Sequence, residues 1–372
     1  MSDPLQLLAD EGVSIWLDDL SRDRIESGEL AGWIDRGIVG VTTNPAIFEA
    51  ALRESEQYGV QLREFAQLGM GTADAARILT SWDVRAACDV LRPVHTATGG
   101  VDGYVSLEVD PAWAHDTERT VGEAILLSWL VDRPNLMIKV PATPAGLPAI
   151  TAILGRGISV NVTLIFSLGR YRDVLDAFQA GLELARRNGH DIARIASVAS
   201  FFISRVDSEV DVRLDALGSD AARAVRGRAA IANAVLAYEA YEQTLRGERW
   251  AALAEAGARP QRPLWASTGV KDPAYDDTRY VVDLVAPGTV NTVPEGTLRA
   301  VIDHGKVVGD RVTGQYDAAH RVFGELDALG VDMNDISAKL EREGIAKFQQ
   351  AWRELILGVE AALTARGSVA RA

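Results

Sequence analysis

Short apolar runs recur along the chain, each closing in polar residues and most separated by stretches with helical periodicity. They are VSIWL (13–17), GIVGV (37–41), GYVSL (103–107), NLMI (135–138), ISVNV (158–162), IASVA (195–199), PLWA (263–266) and YVVDLV (280–285). Runs this apolar suit strands covered on both faces, as in a parallel sheet with helices outside. Eight such strand–helix units predict an α/β fold, a (β/α)8 TIM barrel, with an open doubly wound sheet as the competing arrangement. The connectors are uneven. Residues of about 46–99, 206–260 and 295–372 are long, rich in Ala, Leu, Glu and Arg, and periodic, so each is expected to add helices to the barrel. No fixed-period repeat, low-complexity segment or Pro/Gly/Ser linker divides the 372 residues, and one domain over 1–372 is the simplest account.

One run breaks the apolar rule. In NLMIKVPATPAGL (135–147) a lysine, Lys139, follows three apolar residues of a strand. An ammonium removed from water is costly, so such a group either pairs or gives up its proton. The bland reading is a buried Lys–Glu ion pair without chemistry. The sharper one is a neutral amine able to attack a carbonyl.

The other strand ends decide how far that reading can be taken, because in a barrel the chemistry sits where strands end and loops begin. Those positions hold Asp18 and Asp19, Thr42 to Asn44, Glu108 and Asp110, Asn161 and Thr163, Ser200, and Ser267 and Thr268; the eighth run ends in the unpolar APG. Taken singly, Asp18 could cap the following helix, Thr42–Pro45 could be a plain turn, Glu108 an ordinary strand-end carboxylate and Ser200 a small buried hydroxyl. Taken together, they form a kit for carbon–carbon bond cleavage through an imine. Glu108 and Thr163 suit proton shuttling to a water, Asp18 suits a base for a hydroxyl proton, and the amides of Asn44 and Asn161 suit the hydroxyls of a polyol.

Composition narrows the partners. Hydrophobic residues make up 48% and charged residues 24%, ordinary for a soluble protein. The formal net charge of -14 argues against nucleic acid or an anionic membrane as a partner, while a local cationic cluster could still hold a small anion. Cys88 is the one cysteine, so neither an intramolecular disulfide nor a cysteine metal cluster is expected. The five histidines are scattered away from the strand ends, which disfavours a His-bearing metal site or a Ser-His triad; nor is there a G-x-G-x-x-G or P-loop pattern. The acidic N-terminus lacks a signal-peptide pattern and no apolar run reaches 18 residues, so a cytoplasmic location is expected.

The segments WLDDLSRDRI, GVTTNPAIF, YVSLEVDP, NLMIKVPATPAGL, ISVNVTLIFS, SVASFFISRVD, LWASTGVKDP and LVAPGTVNTVP resemble the transaldolase family, in its order, and the overall length is similar to its longer bacterial subgroup. The resemblance implies a class I aldolase barrel that passes a dihydroxyacetone unit between sugar phosphates in the non-oxidative pentose phosphate pathway, without cofactor or metal. Fructose 6-phosphate and sedoheptulose 7-phosphate would be donors; glyceraldehyde 3-phosphate and erythrose 4-phosphate would be acceptors. It further implies Lys139 as Schiff-base lysine, Asp18 as acid/base, and Glu108 with Thr163 positioning the water. Asn44, Asn161 and Ser200, with Thr43 and Phe202 beside them, would hold the dihydroxyacetone part, and Arg205 the phosphate.

The chain departs from that pattern twice. Phe201 stands where many members have proline, and Lys271 in STGVKDP stands where many have a second phosphate-binding arginine, offering a point charge instead of a fork. Fructose-6-phosphate aldolases share the barrel and the lysine but release free dihydroxyacetone. They typically carry Gln and Tyr where this chain has Glu108 and Phe202, so both positions favour the transferase. Three alternatives stand beside it: that lyase, a Mg²⁺-dependent phosphatase using Asp18 and Asp19, and a sugar-phosphate-binding barrel without turnover. A monomer and a homodimer are equally compatible with the sequence.

Overall fold

The computed structural model describes residues 3–369, with side chains through residue 365. Eight strands close into a parallel barrel in chain order: β1 (Val13–Leu17), β2 (Gly40–Val41), β3 (Tyr104–Glu108), β4 (Leu136–Pro141), β5 (Val160–Ile165), β6 (Ser197–Phe202), β7 (Arg262–Ala266) and β8 (Thr289–Val293). The competing open sheet is excluded, because β8 pairs with β1 from Val13↔Thr289 to Leu17↔Val293.

The closure depends on one close approach. The backbone of Gly40 runs against the indole of Trp16, and a Cβ there would lie 2.5 Å from the ring. Trp16 is fully buried and its Nε1 donates to Asp102 at 3.4 Å, so the ring has a polar as well as a steric reason to stay. Glycine is what lets the two-residue β2 pass between β1 and β3.

The eighth run lies outside the sheet. The single helical turn Arg279–Val282 takes up the start of YVVDLV, and the strand that closes the barrel is Thr289–Val293, beyond the APG turn. The run is apolar because it packs under β7: the Leu284 carbonyl accepts from Trp265 Nε1 at 3.1 Å, and Tyr280 is buried with its hydroxyl on Asp207 at 2.7 Å. The real strand escapes an apolarity search because Thr289, Asn291 and Thr292 are polar yet buried. Asn291, for example, donates to the Tyr280 carbonyl at 2.9 Å.

The long connectors are helical. Residues 45–97 hold Pro45–Glu54, Gly59–Gln67 and Thr72–Ala97, and residues 204–255 hold Ser204–Leu217, Asp220–Val225, Ala229–Leu245 and Glu248–Glu255. After β8 come Glu295–His304, Tyr316–Ala328 and the long Met333–Val369. This C-terminal helix packs on the three helices of residues 45–97 and reaches β5. Among the described residues, no helix is long and apolar enough to cross a membrane.

Gly40→Ala should cost about 1–3 kcal/mol, because the added methyl must displace a fully packed indole. Thermal unfolding would show it as a lowered midpoint. An unchanged midpoint would mean that β2 can move away from Trp16.

Candidate active site

Two cavities lie at opposite ends of the barrel. The larger, about 460 Å³, is at the strand starts, mostly apolar, and crossed by the Asp102–Arg262 ion pair at 3.0 Å. The smaller, about 190 Å³, is at the strand ends and is lined by Asp18, Thr42, Asn44, Lys139, Thr163, Ser200, Phe202, Arg205, Ser267, Lys271, Thr292 and Phe348. Size favours the first and chemistry the second. Only the second brings together an amine, a carboxyl group, hydroxyls and free cations.

Lys139 sits inside β4, in register with Glu108 on β3 and Asn161 on β5. Parallel register neighbours point to the same side of the sheet, so the three side chains enter the barrel at one level. Lys139 Nζ is 3.3 Å from Glu108 Oε2 and donates to the Thr43 carbonyl at 3.1 Å. The ammonium thus has partners, while both Glu108 oxygens and Thr163 Oγ1 are buried without a hydrogen-bond partner. Atoms in that state are met by water or by substrate.

Asp18, just past β1, accepts from Thr42 Oγ1 at 2.7 Å, and Thr42 in turn contacts Thr292 of β8. Two hydroxyls from neighbouring strands therefore aim this carboxyl. Asp19, the next residue, is held by Arg24 at 2.7 Å, so of the two aspartates only Asp18 lines the cavity.

Burial sets the protonation of this group. It pushes the Glu108 carboxyl up to about 7, with Lys139 opposing. It also raises Asp18, against the pull of Lys139 and the Thr42 hydrogen bond. A carboxyl near 7 can give and take a proton at neutral pH.

The other expected residues divide. Ser200 and Phe202 line the cavity from alternate positions of β6, with Phe201 between them facing the helix layer, 5.8 Å from Tyr171 and 6.3 Å from Trp265 between ring centres. The unexpected Phe201 thus fills the outer core and leaves the site untouched. Asn44 caps the helix Pro45–Glu54 through Oδ1, accepting from Ala46 and Ile47, and still lines the cavity. Asn44 thus caps the helix and borders the cavity at once.

Thr43 and Asn161 are fully buried. The Thr43 hydroxyl goes to the Ser106 carbonyl at 2.6 Å, and the Asn161 amide bridges Ser106 at 2.9 Å and Ser200 at 2.7 Å. Both engage protein partners and brace residues that line the cavity.

Arg205 and Lys271 stand at the mouth, and among the described residues neither forms a salt bridge. Arg205 lies over the Phe202 ring at 5.2 Å, and burial lowers its pKa, with Asp18 opposing.

A match to the family model described as Transaldolase/Fructose-6-phosphate aldolase covers residues 15–358. The chain belongs to this family. The chain is 60% identical to "Transaldolase 1" of Streptomyces avermitilis over 98% of its own length and 97% of that protein's. It is 60% identical to "Transaldolase" of Thermobifida fusca over 96% and 97% of the two chains, and 61% identical to "Transaldolase 1" of Streptomyces coelicolor over 98% and 96%. All three relatives carry the transferase's name, in line with the transferase class expected from the sequence.

Several lining residues had no sequence forecast as site residues, Thr42, Thr292 and Phe348 among them. Thr292 belongs to the eighth strand, which the sequence placed elsewhere, Phe348 comes from the C-terminal helix, and Thr42 stood among the polar strand-end positions without a role.

The raised Glu108 should appear in infrared difference spectra as a protonated carboxyl band lost with a midpoint near pH 7, absent in Glu108→Gln. A midpoint in the ordinary carboxylate range would mean that water reaches the group.

Proposed function

We propose that the protein transfers a dihydroxyacetone unit between sugar phosphates, through an imine on Lys139. The observation that carries this reading is the buried amine 3.3 Å from a carboxyl raised to about 7, in a cavity that also holds Asp18.

A ketose phosphate, fructose 6-phosphate or sedoheptulose 7-phosphate, binds with its phosphate between Arg205 and Lys271. Lys139 gives a proton to Glu108, and the neutral Nζ attacks the C2 carbonyl carbon. Glu108, through a water held with Thr163, delivers the proton with which the C2 oxygen leaves as water, forming the imine. Asp18 takes the C4 hydroxyl proton, the C3–C4 bond breaks, and its electron pair passes into the enamine. The aldose phosphate leaves. An acceptor, glyceraldehyde 3-phosphate or erythrose 4-phosphate, then takes up the three-carbon unit by the reverse steps.

Ser200, aimed by Asn161, and the free amide end of Asn44 hold the hydroxyls of the three-carbon unit. Thr43 acts through its carbonyl, which fixes Lys139 Nζ. Asp18 has two hydroxyls upstream of it, Thr42 and Thr292, which set the direction of its free oxygen. No step calls for a cofactor or a metal.

Borohydride reduction in the presence of fructose 6-phosphate should add a three-carbon unit to the peptide bearing Lys139, and to none in Lys139→Ala. The chain has only four other lysines, so the site of label is quickly read; a label on any of them would sink the assignment.

Glyceraldehyde 3-phosphate should be released steadily from fructose 6-phosphate only when erythrose 4-phosphate is present. Steady release without the acceptor would make the protein a free aldolase.

A further inference from the structure

The C-terminal helix brings one ring up to the reacting nitrogen. Phe348 lies on the helix Met333–Val369, and the centre of its ring is 5.3 Å from Lys139 Nζ. Its side chain is 6% exposed, and it lines the polar cavity instead of joining the apolar seam of its helix alone. An aromatic ring at this distance attracts a cation and excludes water from it.

The helix is fixed in place by contacts on both sides of that ring. Lys339 pairs with Glu209 at 2.6 Å, and Gln349 Nε2 donates to the Pro111 carbonyl at 3.2 Å. One turn before Phe348, Gly344 sits so close to β5 that a Cβ would lie 2.9 Å from Leu164 Cδ2. Leu164 itself has φ 61° at a register shift between Val162 and Ile165, directly after Thr163. A leucine in the left-handed region is strained, and this bulge lies where β5 meets the helix.

We propose that Phe348 is a specificity-determining residue, whose ring covers the three-carbon intermediate on Lys139 and keeps water from its nucleophilic carbon. This rests on the imine reading above. After C3–C4 cleavage the enamine has two fates. Its C3 can bond to the carbonyl carbon of an acceptor aldose, which is transfer. Alternatively C3 can take a proton from water, and a second water then adds across the C=N bond, freeing Lys139 Nζ and releasing dihydroxyacetone. The second fate needs water at C3 while the acceptor is absent. Phe348 stands on the Lys139 side of the cavity and Phe202, with Arg205 over it, lines it from β6. Both rings line the cavity that holds Lys139 Nζ, and of the two only Phe348 comes from outside the barrel.

The test is the ratio of dihydroxyacetone release to transfer, measured with fructose 6-phosphate and with or without erythrose 4-phosphate. Phe348→Ala should raise the ratio about tenfold, by admitting water to a site that normally excludes it. Phe348→Val, which keeps more bulk and serves if the alanine variant does not fold, should raise it less but in the same direction. A variant damaged only in its folding would lose both activities together and leave the ratio alone. An unchanged or lowered ratio in a folded variant, with the wild type trapping three carbons on Lys139, would overturn the role of Phe348. A wild type that traps nothing on Lys139 would overturn the imine reading itself.

Discussion

The site is organised by one buried contact, the 3.3 Å approach of Lys139 to Glu108. Neither charge is tolerable at that depth alone. Paired, they hold each other at the same level of adjacent strands, and the pair is poised because burial and attraction act on Glu108 in opposite directions. The rest follows from keeping that pair buried and aimed. Thr43 offers its carbonyl to the amine, Thr42 and Thr292 turn Asp18, and the Ser106–Asn161–Ser200 chain uses up the polar groups that would otherwise compete for the lysine.

The barrel itself supplies the aim. Parallel strands in register place side chains from different segments at one height, so residues far apart in sequence meet without any loop having to be rigid. Of the three non-glycine residues with left-handed backbone angles among the described residues, Asp132 ends the helix Thr117–Val131, whereas Leu164 follows Thr163 and Ser267 lines the cavity. Strain of this kind persists only where the surrounding packing overrides it.

Much of this was legible in the sequence because it obeys simple solvation rules. A lysine after three apolar strand residues has no structural excuse, and it led to Glu108, Asp18 and Thr163 by way of strand-end positions. The eighth strand was illegible for the opposite reason: YVVDLV is apolar without being sheet, since it fills the space under Trp265, and TVNTV is sheet without being apolar, since its polar groups are satisfied inside the barrel. Phe348 gave no signal at all. In EGIAKFQQAWRELILGVEAAL it occupies a helical phase no different from that of its core-facing neighbours, and only tertiary packing directs it to the lysine. Thr43 and Asn161 were found by position, but their hydrogen bonds point to support more than to contact.

The placement of Phe348 also orders events in time. All eight strands are complete by residue 293, whereas the ring that lies over Lys139 arrives only with residue 348. A growing chain can therefore carry its nucleophile before it carries the cover. The helix Met333–Val369 brings its aromatic ring to a barrel mouth whose strands are already laid down.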